Sequence, residues 1–162
     1  MKKKTKLIFF HPYSYLGGAD NSLLRLIQKL DLNEFSITFV SLNKSYLKKR
    51  LDKKVIFKEL NVSRSIFSML QFRKLILSYK NDQFKKVIII SNQNFANIIA
   101  YFSSIYISKI KRIFIDRNHL DELNFTNSFK EKFKKKIIKI LMKIIYPKAN
   151  LIIGNSTKLS RD

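Results

Sequence analysis

Short apolar runs alternate along this chain with longer segments whose apolar residues recur at helical spacing. The run KKVIIIS at 85–91 is continuous and β-branched, which is typical of a strand buried on both faces of a sheet. Leu23, Leu26, Ile27 and Leu30 recur at i, i+3, i+4 and i+7, which predicts a helix. The pattern predicts strands at 6–12, 35–42, 54–62, 85–91, 111–119 and 150–156, and further helices at 65–80, 94–107 and 127–146, with a short helix or turn at 45–52.

This alternation implies right-handed crossovers between parallel strands. The predicted fold is therefore α/β: one domain, 1–162, with a doubly wound, Rossmann-like parallel sheet of about six strands and helices on both faces. Ligands of such sheets bind beyond the carboxyl ends of the strands. That rule selects four loops as the ligand edge: 11–20, 91–94, 116–124 and 154–157.

The loop between the first strand and the first helix contains two adjacent glycines, Gly17 and Gly18. Glycine permits positive φ and lets a ligand approach the backbone, and the N-terminus of the next helix suits phosphate or sugar oxygens. The alternative is a tight turn that needs glycine, with Asp20 or Ser22 capping the helix. G-x-G-x-x-G and P-loop signatures are absent, so this is no dinucleotide fingerprint.

Three further polar residues lie at the predicted ligand edge. His119 could bind a sugar hydroxyl or a developing charge, or it could be a loop histidine bonded to a neighbouring acid. Arg117 could bind phosphate or form a salt bridge with Asp121. Asn92 could bind a ligand or cap the next helix.

For the other polar residues near this edge, the sequence gives weaker support for a functional role. We expect His11, beside Pro12, to be structural. The acids Asp116, Asp121 and Glu122 invite a paired-carboxylate hydrolase interpretation, but adjacent acids in one loop are usually solvated.

The amino-acid composition limits the kinds of site and partner that the chain is expected to have. The chain has no cysteine and two histidines, so a disulfide scaffold and a cysteine- or histidine-rich metal site are not expected. The net charge of +22 suggests an anionic partner such as a membrane surface, a phosphorylated substrate or nucleic acid. AT-rich coding also explains a lysine excess, so only the placement of the lysines is informative.

The N-terminal apolar run is too short for a signal peptide, and no apolar stretch is long enough to span a membrane.

The predicted helix at 127–146 is both basic and amphipathic. Its apolar residues share one half of the helical wheel. Its lysines cluster opposite them and favour contact with anionic lipid headgroups, the alternative being a solvated face made lysine-rich by coding bias. The apolar set is Phe129, Phe133, Ile137, Ile140, Leu141, Ile144 and Ile145, and the lysine set is Lys132, Lys135, Lys136, Lys139 and Lys143.

The ordered set of motifs resembles the N-terminal domain of family-4 retaining glycosyltransferases of the GT-B fold. The Gly-Gly-Ala-Asp sequence at 17–20 resembles the family's usual Gly-Gly-Ala-Glu at the same place. KKVIIISNQNFANIIAYF, KRIFIDRNHLDELN and NLIIGNSTKLSRD resemble later segments of that domain, in the same order. The resemblance covers essentially the whole chain.

The resemblance implies an acceptor-binding domain, with a nucleotide-sugar as co-substrate and no other cofactor. Gly17 and Gly18 would lie near the donor diphosphate, His119 near the reacting sugar, and Arg117 on a phosphate or the acceptor. The C-terminal donor domain, with its Glu-x(7)-Glu pattern, is expected to be missing. Three alternatives remain open: the gene is truncated, the chain is a domain fragment, or a separate chain supplies the other half.

The expected partners are a sugar or lipid-linked acceptor and an anionic membrane surface, with the chain cytoplasmic and peripheral on the inner face. Two other functions remain open. One is a basic nucleic-acid-binding module, although no zinc finger, RNA-recognition signature or GXXG loop is present. The other is a non-catalytic α/β module.

Overall fold

A computed structural model describes residues 3–15, 17–79, 84–116 and 128–154. The strands are β1 (Thr5–Phe10), β2 (Phe35–Ser41), β3 (Ile56–Glu59), β4 (Lys86–Asn92), β5 (Ile110–Asp116) and β6 (Leu151–Gly154). The α-helices are α1 (Gly18–Gln28), α2 (Ser68–Ser78), α3 (Asn94–Ser104) and α4 (Phe129–Ile145). Short 3-10 helices span Tyr46–Arg50, Ser65–Phe67 and Tyr146–Lys148.

The six strands form one parallel sheet in the order β3-β2-β1-β4-β5-β6. The chain moves from β1 outward to β3 and then returns to β4 on the other side of β1. The strand order therefore reverses between β1 and β4, and such a switch point opens a crevice at the carboxyl ends of the two strands. The predicted sheet of about six parallel strands is confirmed.

The sheet separates two apolar layers. Along β1, Leu7 and Phe9 face the layer that contains α1, whereas Ile8 and Phe10 face the layer that contains α2, α3 and α4. This alternation arises because successive side chains of a strand point to opposite faces. Helices on both faces, as predicted, give the doubly wound fold.

Two local predictions are refined. In α1 the core side chains are Leu23, Leu24 and Ile27, whereas Leu26 is exposed. Helix α4 ends at Ile145, just before the predicted stop at Pro147, which lies in the short 3-10 turn. No helix in the described ranges is both long and apolar enough to cross a bilayer.

Candidate functional site

The crevice at the switch point is closed at its base by side chains from the ends of β1 and β4. His11 follows β1 directly and Asn92 is the last residue of β4, and both are buried. The Asn92 amide Nδ2 donates to His11 Nδ1 across 3.2 Å. The two central strands are thus joined at their carboxyl ends by a side-chain hydrogen bond.

His11 also pairs with the first turn of α1. Its Nε2 lies 2.5 Å from Oδ1 of Asp20, which is buried as well. With the Asn92 amide donating to Nδ1, the ring proton lies on Nε2 and is donated to the carboxylate. Both ring nitrogens are engaged inside the protein, so His11 acts as a structural connector rather than as a general base. The expected structural role of His11 agrees with this geometry.

The Asp20 carboxylate accepts hydrogen bonds from three segments of the chain. Besides His11, the Tyr46 hydroxyl donates to Oδ2, and the backbone N–H of Tyr15 donates to Oδ2 across 2.8 Å. Burial alone would raise the pKa of Asp20, but the bonds from Tyr46, His11 and Tyr15 outweigh it and hold the pKa below its ordinary 3.8. The ionised carboxylate therefore ties the loop before α1 to the helix and to the segment that follows β2.

The glycines at the start of α1 lie beside open space. Gly17 is the N-cap with φ −90°, and no described glycine has positive φ. A Cβ built on Gly17 or Gly18 would meet no atom of the described residues within 4 Å, apart from the chain neighbours and the backbone of α1 itself. Within the described part of the fold, neither backbone conformation nor packing requires glycine here, which disfavours the alternative of a tight turn that needs glycine. The alternative that Asp20 caps the helix is not observed, because its carboxylate accepts from His11, Tyr46 and Tyr15 instead.

Gln93, between β4 and α3, has an unusual backbone. Its φ is 83° and its ψ is 151°, in a region that is essentially reserved for glycine. The conformation is held by backbone bonds, with Gln93 N–H donating to Ile115 O at 3.0 Å and Asn97 N–H donating to Gln93 O at 2.9 Å. Sequence reasoning missed this residue, because a side-chain pattern carries no signal of backbone strain.

A second network fixes the carboxyl end of β5. Tyr146, just after α4, donates its hydroxyl to Asp116 Oδ2 at 2.8 Å and accepts from Asn97 Nδ2 at 3.0 Å. Ser91 donates to Asn97 Oδ1 at 2.7 Å. Burial raises the pKa of the Tyr146 hydroxyl, and the Asp116 carboxylate raises it further, so Tyr146 remains a proton donor. Asp116 is buried and bonded rather than solvated, in contrast to the expectation for that acid.

Arg117 and His119 lie outside the described residues, as do Asp121 and Glu122. Strand β5 ends at Asp116, one residue beyond Ile115, which is the register partner of Asn92 in β4. Asn92 itself lies at the predicted edge, where its side chain serves His11 rather than capping α3, whose N-cap is Gln93. Within the described ranges, no group of three or more histidines or acids could hold a metal ion.

The predicted lysine set lies on α4 but is not equally exposed. Lys132, Lys136 and Lys143 are exposed, whereas Lys135 and Lys139 are half-buried towards the protein body. The apolar half of the helical wheel divides in a similar way. Leu141 and Ile145 pack on the core, while Phe133, Ile137, Ile140 and Ile144 remain exposed.

Among solved structures, the chain is similar to Anabaena Alr3699/HepE, whose crystal structure was obtained in complex with UDP and glucose. The TM-score is 0.66 at 14% sequence identity, and the match covers 99% of this chain and 40% of that protein. At this identity the likeness shows a shared fold, and the chain spans less than half of its neighbour's length. No protein-family model matches the sequence. No curated protein matches it either.

Proposed function

We propose that this chain is the acceptor-binding half of a glycosyltransferase. It would bind one side of a nucleotide-sugar and a glycan or lipid-linked acceptor, at the cytoplasmic membrane surface, in the synthesis of cell-surface polysaccharide. A donor-binding domain, in the same or a separate chain, would complete the cleft. The likeness in fold to a protein crystallised with UDP and glucose supports this class of substrate.

The observation that carries the proposal is the open N-terminus of α1 at the switch point. Among the described residues, Gly17 and Gly18 leave free space where a side chain would fit, and neither packing nor a positive φ calls for glycine there. A helix N-terminus presents backbone N–H groups and the positive end of the helix dipole. Diphosphate oxygens of a nucleotide-sugar suit such a surface when no Cβ blocks their approach.

The buried network gives this surface a fixed position. Asp20 holds the N–H of Tyr15 and the His11 ring, so the loop before α1 is fixed from both ends before any ligand arrives. Preorganisation of this kind lowers the entropic cost of binding. In the proposal, Asn92 contributes by holding His11, while Arg117 binds a phosphate and His119 approaches the reacting sugar.

Binding at the glycines can be followed directly by NMR, because the chain contains only three glycines. The ¹⁵N-labelled chain is titrated with UDP-glucose and, separately, with UDP. We expect the amide signals of Gly17 and Gly18 to shift more than that of Gly154, with dissociation constants in the millimolar range, because half of a cleft binds weakly.

The variant Gly18→Val fills the open space and separates binding from folding. Since no described residue lies within 4 Å of the new Cβ, apart from the chain neighbours and the helix backbone, the free energy of unfolding should change by less than about 1 kcal/mol. Nucleotide-sugar binding should weaken at least tenfold. Lys53→Gln, in the exposed turn before β3 at the opposite edge of the sheet, is the control and should bind as the parent does. Unchanged binding by Gly18→Val, or no shift at either glycine, would leave the non-catalytic α/β module as the better hypothesis.

A further inference from the structure

Helix α4 carries an apolar stripe that the protein core does not use. Phe133, Ile137, Ile140 and Ile144 follow one another at spacings of four, three and four residues, so they share one face. They are 61%, 42%, 49% and 50% exposed, respectively. A different side of the helix, with Met142 and Ile145, packs into the core. The exposed face is called the Phe133 stripe below.

Lysines line both sides of the Phe133 stripe. Lys132, Lys136 and Lys143 lie about 90° around the helix on one side, and Lys130 and Lys134 lie about 70° around on the other. All five are exposed. The 17-residue helix contains seven lysines and one acid, Glu131, so its surface charge is strongly positive.

We propose that the Phe133 stripe inserts into the interface of an anionic lipid bilayer while the flanking lysines contact the headgroups. An apolar face bordered by two cationic rows is the charge pattern of a helix that lies in the plane of a membrane. A protein interface over the same stripe would place both lysine rows at its rim, where each needs an acidic partner. Anionic lipid supplies such partners along the whole length of the helix.

The direction of α4 connects this surface to the proposed acceptor site, and this step rests on the proposed function. Helix α4 follows β5 in the chain and ends a few residues before β6 begins at Leu151, and the two strands are parallel, so the helix runs from the carboxyl edge of the sheet towards the amino end of β6. Phe133 is therefore at the end of the stripe nearest the ligand edge. A membrane-bound α4 would bring that edge to the headgroup level, within reach of a lipid-linked acceptor.

The absence of tryptophan from the sequence permits a direct test of insertion. Phe133→Trp introduces a single fluorophore into the stripe. Ile56→Trp introduces one on β3, at the far edge of the sheet, where the native side chain is 42% exposed. Each variant is mixed with phosphatidylglycerol-containing vesicles and with pure phosphatidylcholine vesicles. Acyl-chain-brominated lipids report depth, because they quench only a tryptophan that has entered the apolar region.

We expect a blue shift and quenching for Phe133→Trp on the anionic vesicles only, and neither for Ile56→Trp. A chain of charge +22 will adsorb to anionic vesicles whichever face it presents, so adsorption without quenching at position 133 would overturn the proposal. Equal quenching at both positions would do so too, since it would indicate unfolding on the lipid.

A second pair of variants tests the stripe without a fluorophore. Ile140→Asp places a charge in the stripe, and Lys53→Gln makes the same change in net charge at the opposite side of the sheet. We expect at least tenfold weaker vesicle binding for Ile140→Asp with an unchanged melting temperature, because Ile140 is exposed. Each of Lys132, Lys136 and Lys143 changed to Gln should weaken binding by about fivefold.

The alternative occupants give different results. If the parent chain forms a dimer in solution and Ile140→Asp converts it to a monomer while vesicle binding is unaffected, the stripe is a protein interface and the proposal fails. Vesicle binding requires no nucleotide-sugar. Failure of the glycine titration would therefore contradict nucleotide-sugar binding and leave this inference standing. Failure of insertion would contradict this inference and the membrane location, and would leave nucleotide-sugar binding standing.

Discussion

The two ends of β1 bury ionisable groups in opposite ways. At the carboxyl end, the His11–Asp20 pair is buried with its partners, and every donor that faces the carboxylate is matched to it. At the amino end, Lys6 is also buried, but among the described residues no carboxylate pairs with it. Its Nζ donates to Ser36 Oγ at 3.0 Å and lies 4.2 Å from the centre of the Tyr79 ring.

The pKa shifts at the two ends show the difference. Hydrogen bonds hold the pKa of Asp20 below normal in spite of burial, so the charged form is the stable one. Burial lowers the pKa of Lys6 from 10.5 to about 8, so the charged form is penalised. A buried charge with a complete set of partners stabilises a connection between segments, whereas one held by a hydroxyl and ring faces costs stability. The well-partnered charge lies at the proposed ligand edge and the poorly partnered one lies at the opposite edge.

The largest effect on the free energy of unfolding is expected from removing the Asp20 carboxylate at the carboxyl end of β1. Asp20→Ala leaves the His11 Nε2–H, the Tyr46 hydroxyl and the Tyr15 N–H without their acceptor, so the free energy of unfolding should fall by about 3–5 kcal/mol. Urea denaturation monitored by circular dichroism measures this loss. Asp52→Ala is the control, because the Asp52 side chain is exposed and accepts from the exposed Lys54 N–H, and it should cost less than about 1 kcal/mol. A similar loss for both variants would contradict the special role of Asp20.

Asp20→Asn separates charge from hydrogen bonding at the same site. The folded-state pKa of Asp20 lies below its unfolded value, so its ionisation stabilises the fold above about pH 4, and this contribution is lost as the pH falls further. The parent should therefore lose more stability than Asp20→Asn on acidification below pH 4. Parallel curves for the two proteins would show that folding does not lower the pKa of Asp20.

The second largest effect is expected at the amino end of β1, where the buried Lys6 lacks a carboxylate partner among the described residues. Here the substitution should raise the free energy of unfolding rather than lower it. Lys6→Met removes the desolvation penalty while keeping an unbranched apolar chain, so at pH 7 it should stabilise the protein by about 1–3 kcal/mol. Lys4→Met is the control, since Lys4 is exposed and its Nζ donates to Leu32 O, and it should change stability by less than about 0.5 kcal/mol. Destabilisation by Lys6→Met would mean that the Ser36 bond and the aromatic rings outweigh desolvation.

The same lysine predicts a rise of stability with pH. Between pH 8 and 10.5 the unfolded chain binds more protons than the folded one, so the free energy of unfolding of the parent should increase over that range. The full penalty applies below pH 8 and disappears above 10.5. Subtracting the Lys6→Met curve removes the contribution of the other lysines, and a flat difference between pH 8 and 10.5 would contradict the lowered pKa.

The smallest effect concerns backbone strain at the carboxyl edge. Gln93→Gly relieves a conformation that costs about 1–3 kcal/mol, while glycine gains entropy in the unfolded chain, so we expect a net stabilisation of about 1 kcal/mol. Asn61→Gly is the control: Asn61 has φ 52°, which asparagine tolerates, so it should gain nothing. Thermal denaturation compares the two variants, and equal changes would mean that Gln93 stores no strain.

The sequence by itself determined the order and type of the elements. Continuous apolar runs such as the one in β4 can be satisfied only by burial on both faces, and their alternation with helical segments implies a parallel sheet. The glycine pair also follows the carboxyl end of β1 and begins the first helix, as the sequence predicted. The physical reason is that periodicity and chain connectivity are local properties, which a single sequence displays directly.

Only the tertiary structure decided which polar residues meet and which apolar residues remain outside. His11 and Asn92 are 81 positions apart and touch because β1 and β4 are neighbours in the sheet. The burial of Lys6 and the exposure of Phe133 run against residue type, because both depend on what lies across the sheet or beside the helix. The hydrophobic pattern of a helix or strand indicates that one of its faces will be buried. The packing of the neighbouring elements decides which of its apolar residues are covered and which remain exposed.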